Sequence, residues 1–219
     1  MQSDSLNVGY GNGVFVSGSS STSFNPVIVR YNSSGEAQWA RSNTTGNDFS
    51  NFKAVAVDSS GDIYVVGAVT GTDQHTYPSN VGPDVTYTGV NTEGYPPFNA
   101  VLIKYDNAGN AHWATGALEA PFRYDFSSVA VNQDDQVYVA GGTLTPDDSS
   151  FSFVSGESVP VFTNASYQPL LIRYASNGAA TWAKTPYVAS LTDWVGNFNS
   201  VTTATNGDPI VAGECYQYP

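Results

Sequence analysis

The stretch Val27-Ile-Val-Arg-Tyr-Asn-Ser-Ser-Gly-Glu-Ala-Gln-Trp-Ala40 decides how the rest of the chain is read. Its first five residues are apolar or aromatic at every position but one, the pattern of a short strand covered on both faces. Asn-Ser-Ser-Gly then marks a turn, since an Asx side chain bonds back to its own backbone and glycine accepts a positive φ. Four residues after that glycine stands a tryptophan followed by alanine. The same order returns twice. Val101-Leu-Ile-Lys-Tyr105 leads to Gly109 and Trp113-Ala114, and Leu170-Leu-Ile-Arg-Tyr174 leads to Gly178 and Trp182-Ala183.

The register extends in both directions. Downstream, a phenylalanine opens another strand in Phe52-Lys-Ala-Val55, Phe126-Ser-Ser-Val129 and Phe198-Asn-Ser-Val201. A turn then leads to Asp62-Ile-Tyr-Val-Val-Gly67, Gln136-Val-Tyr-Val-Ala-Gly141 and Asp208-Pro-Ile-Val-Ala-Gly213. Upstream, Val14-Phe-Val16, Val85-Thr-Tyr87 and Val159-Pro-Val161 precede the tyrosine columns. The expectation is an all-β chain of three tandem units, 1–73, 74–148 and 149–219, each a four- to five-stranded antiparallel meander. One such sheet cannot bury both of its faces alone, so the units are expected to stack.

Composition narrows the function classes. Charged residues make up 12% of the 219, whereas 41% are hydrophobic and 13% aromatic, enough to fill a core. Seven Lys and Arg against nineteen Asp and Glu give a net charge of −12. Three of those cations, Arg30, Lys104 and Arg173, recur at one repeat position and cannot pool into a patch. Nucleic acid and anionic membrane surfaces are therefore not expected partners. No run reaches the ~18 apolar residues of a membrane-spanning helix, and no membrane insertion is expected. The single cysteine, Cys215, allows no intrachain disulfide. The numbered chain opens without the basic and apolar regions of a signal peptide, and we read it as a mature or trimmed product.

The pattern of an apolar strand, Lys/Arg-Tyr, a turn with Gly-x-x-x-Trp, and then Ala56-Val-Asp-Ser-Ser-Gly-Asp-Ile-Tyr-Val65 resembles the bacterial SBBP-type β-propeller repeats. Residues 27–67 carry the likeness best, 101–141 well, and 170–213 more loosely, with Thr203-Ala204 and Pro209 departing from it. The Gly-x-x-x-Trp spacing is also similar to the tryptophan-docking motif of quinoprotein-like propellers. These resemblances imply blades of β-propeller type and an extracellular or cell-surface location, far more than any activity. They imply that Trp39, Trp113 and Trp182, with the strand-end tyrosines Tyr31, Tyr105 and Tyr174, sit at the seams between blades. Closed propellers have about four to eight blades, so three are expected to be incomplete alone. Oligomerisation, a longer chain, or an open array would each resolve the shortage.

Candidate chemistry is sparse. His112 stands where the other units have Gln38 and Thr181, and His75 falls in a polar connecting segment. There is no His-Glu-x-x-His, Gly-x-Ser-x-Gly, phosphate-binding or dinucleotide-binding motif. Most carboxylates, among them Asp58, Asp62, Asp106, Asp134, Asp135, Asp147, Asp148 and Asp208, lie in turns and are expected to cap them. A Ca2+ loop is conceivable from such oxygen-rich turns, although none has EF-hand spacing, and no catalytic, cofactor or metal residue is assigned. Positions that vary between units are the better place for binding. The loop after the tryptophan strand carries Phe122 and Tyr124 in the second unit and Tyr187, Asp193 and Trp194 in the third. Aromatics beside carboxylates are what glycan or protein binding uses.

The expected function is thus a non-enzymatic structural or adhesive repeat module of a bacterial surface protein, whose partners are copies of itself or other surface proteins. A carbohydrate-binding module acting through the loop aromatics is the first alternative. A fragment of a larger propeller enzyme is the second.

Overall fold

The structure is a computed structural model and describes residues 7–17, 24–46, 49–90, 97–120, 123–143, 151–154, 157–159, 167–186 and 194–217. Within them there is no helix, and every strand pair is antiparallel. A hairpin of β1 (Asn7–Gly11) and β2 (Val14–Ser17) comes first, then a two-stranded sheet of β3 (Ile28–Tyr31) and β4 (Ala37–Arg41). Next come β5 (Ser50–Val57) and β6 (Ile63–Thr70), a hairpin of β7 (Gln74–Tyr77) and β8 (Val85–Thr88), then β9 (Phe98–Tyr105) and β10 (Ala111–Thr115). The same order recurs in β11 (Tyr124–Val131) and β12 (Val137–Thr143), the hairpin β13 (Phe151–Val154) and β14 (Glu157–Val159), then β15 (Gln168–Tyr174) and β16 (Ala180–Lys184). The chain closes on β17 (Trp194–Thr203) and β18 (Pro209–Gln217).

Pairing sets the phase of the sheets, and it is not the phase of the sequence repeat. One four-stranded sheet has the order β10-β9-β6-β5 and the next β11-β12-β15-β16. Strand β6 therefore crosses over the β7–β8 hairpin to pair with β9, Ile63 facing Tyr105 and Val65 facing Ile103. In chain order the boundaries read from the sequence at 73/74 and 148/149 fall between two strands of one sheet, β6 and β9 or β12 and β15. A tryptophan strand and the phenylalanine strand that follows it, such as β4 and β5, belong to different sheets. Two complete sheets result, flanked by the half-sheets β3–β4 and β17–β18. Among the described residues no strand pairs with the outer edge of β3 or of β18.

The sheets stack through alternating side chains, as the period of two in a strand requires. Ile63, Val65, Val101, Ile103 and Tyr105 of the first complete sheet pack against Trp39 and Ile28 of the half-sheet before it. Tyr64, Val66, Ala100 and Leu102 turn to the other face, against Phe126, Val129, Leu170 and Ile172. Tyr138, Ala140 and Leu171 carry the pattern on to Val201, Phe198 and Val211 of the last half-sheet. Each side chain of β6 is buried, because this strand has a sheet on either side.

A glycine column follows from one local device. The ladder is interrupted by a bulge between Phe52 and Ala54, between Phe126 and Ser128, and between Phe198 and Ser200. Opposite each bulge stands Gly67, Gly141 or Gly213. A Cβ at those glycines would fall on the backbone carbonyl of Asn51, Asp125 or Asn197. Only glycine admits that approach.

Candidate functional site: the seams and the open ends

Two of the turns between a third and a fourth strand are self-capped, those that open on Asn32 and Asp106; the β15–β16 turn opens on Ala175 and has no such cap. Asn32 Oδ1 accepts from the Ser34 and Glu36 amides at 3.0 and 2.9 Å. Asp106 Oδ1 does the same for Ala108 and Asn110, both at 2.9 Å. Asp58 and Asn132 cap the other class of turn in the same way. Burial alone would raise the Asp106 carboxyl, but bonds from the Asn110 side chain, the Asn110 and Ala108 amides and His112 hold it below its ordinary range. Asp147 and Asp148 lie outside the described residues. Among the described residues no group of three or more His, Cys, Asp or Glu is placed to hold a metal ion.

These turns receive the tryptophans. Trp39 Nε1 donates to Asn107 O at 3.0 Å, and its ring lies on Gly109, in the turn of the neighbouring sheet. Trp113 Nε1 donates to Ser176 O at 3.2 Å, with its ring on Gly178. Both glycines have a positive φ, near 80° and 87°, and both lack the Cβ that would collide with the indole. Trp182 packs on Tyr138 of its own sheet, with ring centroids 6.0 Å apart. Gly35, the equivalent of Gly109, has nothing within 4 Å of where its Cβ would stand. The tyrosines divide likewise. Tyr105 and Tyr174 are 0% and 1% exposed, whereas Tyr31 is 49% exposed.

The recurrent cations share a position and differ in partner. Lys104 Nζ meets Asp62 Oδ2 at 2.8 Å and sits over the Tyr64 ring. Burial would lower this lysine, but Asp62 and Tyr64 more than compensate and its pKa is raised. Arg30 donates to Asn107 O at 2.7 Å. Arg173 donates to Thr181 Oγ1 at 2.8 Å and lies over Trp182. A further ion pair, Lys53 to Asp125, ties β5 to β11 between the two complete sheets.

The loop aromatics expected to bind ligand do not form a described site. Tyr124 is the first residue of β11 and fully buried. Its hydroxyl lies 3.0 Å from that of Tyr87 and accepts from the Ala117 amide. Burial pushes its phenol up to about 12, against the lowering effect of those two bonds. It is a core residue, which corrects the reading of it as a loop residue presented for binding. Phe122, Tyr187 and Asp193 lie outside the described residues, as does the side chain of Trp194. His75 is not in a connecting segment but in β7, buried against Gly46 and beside Asn43. His112 is exposed, its Nε2 3.5 Å from Asp106 Oδ2.

Sequence reasoning missed one open feature among the described residues. Beside the free edge of β3 lies a groove of about 560 Å³, lined by Ile28, Tyr31, Trp39, Val55, Val57 and Asn107. Val55 is 58% exposed, whereas its equivalent Val129 is 6% exposed, and Val57 is 58% exposed where its equivalent Val131 is part-buried. At the other end of the stack Ile210, the equivalent of buried Tyr64, is 56% exposed. The signal was present in the repeat itself, since aligned columns identify which residues ought to be covered. No protein-family model matches the chain, and no curated protein matches its sequence.

Proposed function

We propose that the chain is a non-enzymatic structural module of a bacterial extracellular or cell-surface protein, built of β-propeller-type blades, that acts by associating with further copies of itself. The observation that carries this reading is the pair of open ends. Among the described residues the stack has at one end an unpaired edge on β3, with Tyr31, Val55 and Val57 exposed, and at the other an unpaired edge on β18, with Ile210 exposed. Unpaired strand edges beside uncovered apolar side chains recruit further strands. Because the two ends are different surfaces, contact between them is head to tail and can propagate. The resemblance to secreted bacterial repeats supports the location, and the lack of a catalytic motif in the sequence supports the non-enzymatic role. Light scattering across a concentration series tests the reading. A mass that climbs above 23.2 kDa with concentration is expected, and a well-folded chain that stays monomeric throughout would overturn it.

A further inference from the structure

We infer that β18 of one copy pairs antiparallel with β3 of a second copy, completing one four-stranded sheet from two halves in the register that the chain already uses twice. The inference rests on the self-association reading above and assigns it a partner surface and a geometry. In both complete sheets the second strand pairs with the third, as Tyr64 with Lys104 and Tyr138 with Arg173. The half-sheet β17–β18 has the bulge, glycine and register of a first-and-second-strand pair. The half-sheet β3–β4 matches the third-and-fourth pair, Arg30 facing Trp39 as Arg173 faces Trp182. Each half lacks what the other supplies. Carrying the repeat register across the joint sets Ile210 of one copy opposite Arg30 of the other, and Val211 opposite Val29.

Three independent features meet at that joint. The groove beside β3 takes the arriving half-sheet, with Ile210 entering beside Trp39 and Val55. Tyr64, Trp113 and Val129 already pack in that relation inside the chain. Asp208 arrives next to Arg30, equivalent to the pairing of Asp62 with Lys104 at 2.8 Å. Trp182 of the arriving copy reaches the turn 32–35, where Gly35 is uncovered and the Ser33 carbonyl corresponds to those of Asn107 and Ser176. Apolar cover, charge and the tryptophan dock thus agree on a second copy as the occupant.

Cross-linking in trans tests the register, in a Cys215→Ser background because Cys215 is itself exposed on β18. Arg30→Cys protein is mixed with Ile210→Cys protein and oxidised. Both positions are exposed in the single chain, so neither change disturbs its fold. The expected result is a disulfide-linked pair of chains, formed in clear excess over Arg30→Cys mixed with Val211→Cys, because a one-residue shift turns the side chain to the opposite face. Val29→Cys with Val211→Cys gives a second matched pair. Trp182→Ala should raise the concentration needed for assembly on the order of tenfold. Association with equal yields from matched and shifted pairs, or with Trp182→Ala without effect, overturns this joint and leaves the self-association reading standing. A strictly monomeric chain overturns both. A link formed within a single chain carrying both cysteines, and not between chains, replaces the second copy with closure of one chain on itself.

Discussion

Tyr105 and Tyr31 end equivalent strands of the repeat, yet one is sealed and the other half exposed. The same contrast separates Gly109, which carries the Trp39 ring, from Gly35, which carries nothing. It also separates Val129, buried against the preceding sheet, from Val55, which borders an open groove. The local sequence barely differs between these pairs. What differs is whether another sheet stands next to them. In this stack the burial of a residue is set by its neighbour as much as by its own strand, which is the nearest-neighbour logic of repeat proteins.

Substitutions at equivalent positions break that comparison, or sharpen it. The largest effect is expected from the glycines opposite the bulges. Gly141→Val forces a side chain onto the Asp125 carbonyl inside a sheet held on both faces, and should cost upwards of about 5 kcal/mol in a denaturant titration, because backbone on both sides blocks relaxation. Gly213→Val meets the same obstruction at Asn197, but in a half-sheet with one free edge that is able to shift, so its loss should be visibly smaller. Equal losses would show that the terminal half-sheet is as constrained as the interior ones.

Next in size are the tyrosines. Tyr105→Ala opens a cavity in a packed core and should cost about 3 to 5 kcal/mol. Tyr31→Ala, measured at concentrations where the chain is monomeric, should change stability by less than about 1 kcal/mol. At assembling concentrations Tyr31→Ala is expected to weaken association instead, since the residue then gains the cover that Tyr105 has.

How much of this was legible in the residues follows from which contacts are local. The Asx turns at Asn32 and Asp106 close over four residues, and their chemistry is written in those residues. The tryptophan and glycine columns are spaced identically in all three copies, so they stood out, and the role of glycine as the surface under the indole adds its physical reason. Sheet phase was not legible. Strands β4 and β5 are nearer in sequence than β6 and β9, yet β6 pairs with β9 across a connection that holds its own hairpin. Nothing in a strand's composition names its partner. Tyr124 misled for a related reason. Its equivalents are Ser50 and Gly196, so no column marked it as core. The alternation Tyr124, Phe126 on one face of β11 was the signal that placed it inside.

The smallest expected effect concerns pH. The native pKa of Asp106 lies below its ordinary value near 3.8, so its contribution to stability is complete above that value. The contribution is lost as pH falls through the native pKa, where protonation removes the negative charge that strengthens the bonds from the turn amides. Asp106→Asn should reduce the acid sensitivity of the unfolding midpoint below about pH 4, measured against the parent chain. An unchanged acid profile would mean that another carboxylate governs that range.

The central claim is that the open ends are halves of one sheet, and amide hydrogen exchange as a function of protein concentration tests it most directly. The account predicts that amides in residues 27–31 and 210–213 gain protection together as concentration rises, while those of β6 and β12, already paired on both sides, do not change. If the two edges exchange equally fast at every concentration, or if protection grows elsewhere and leaves them open, the half-sheets do not complete one another.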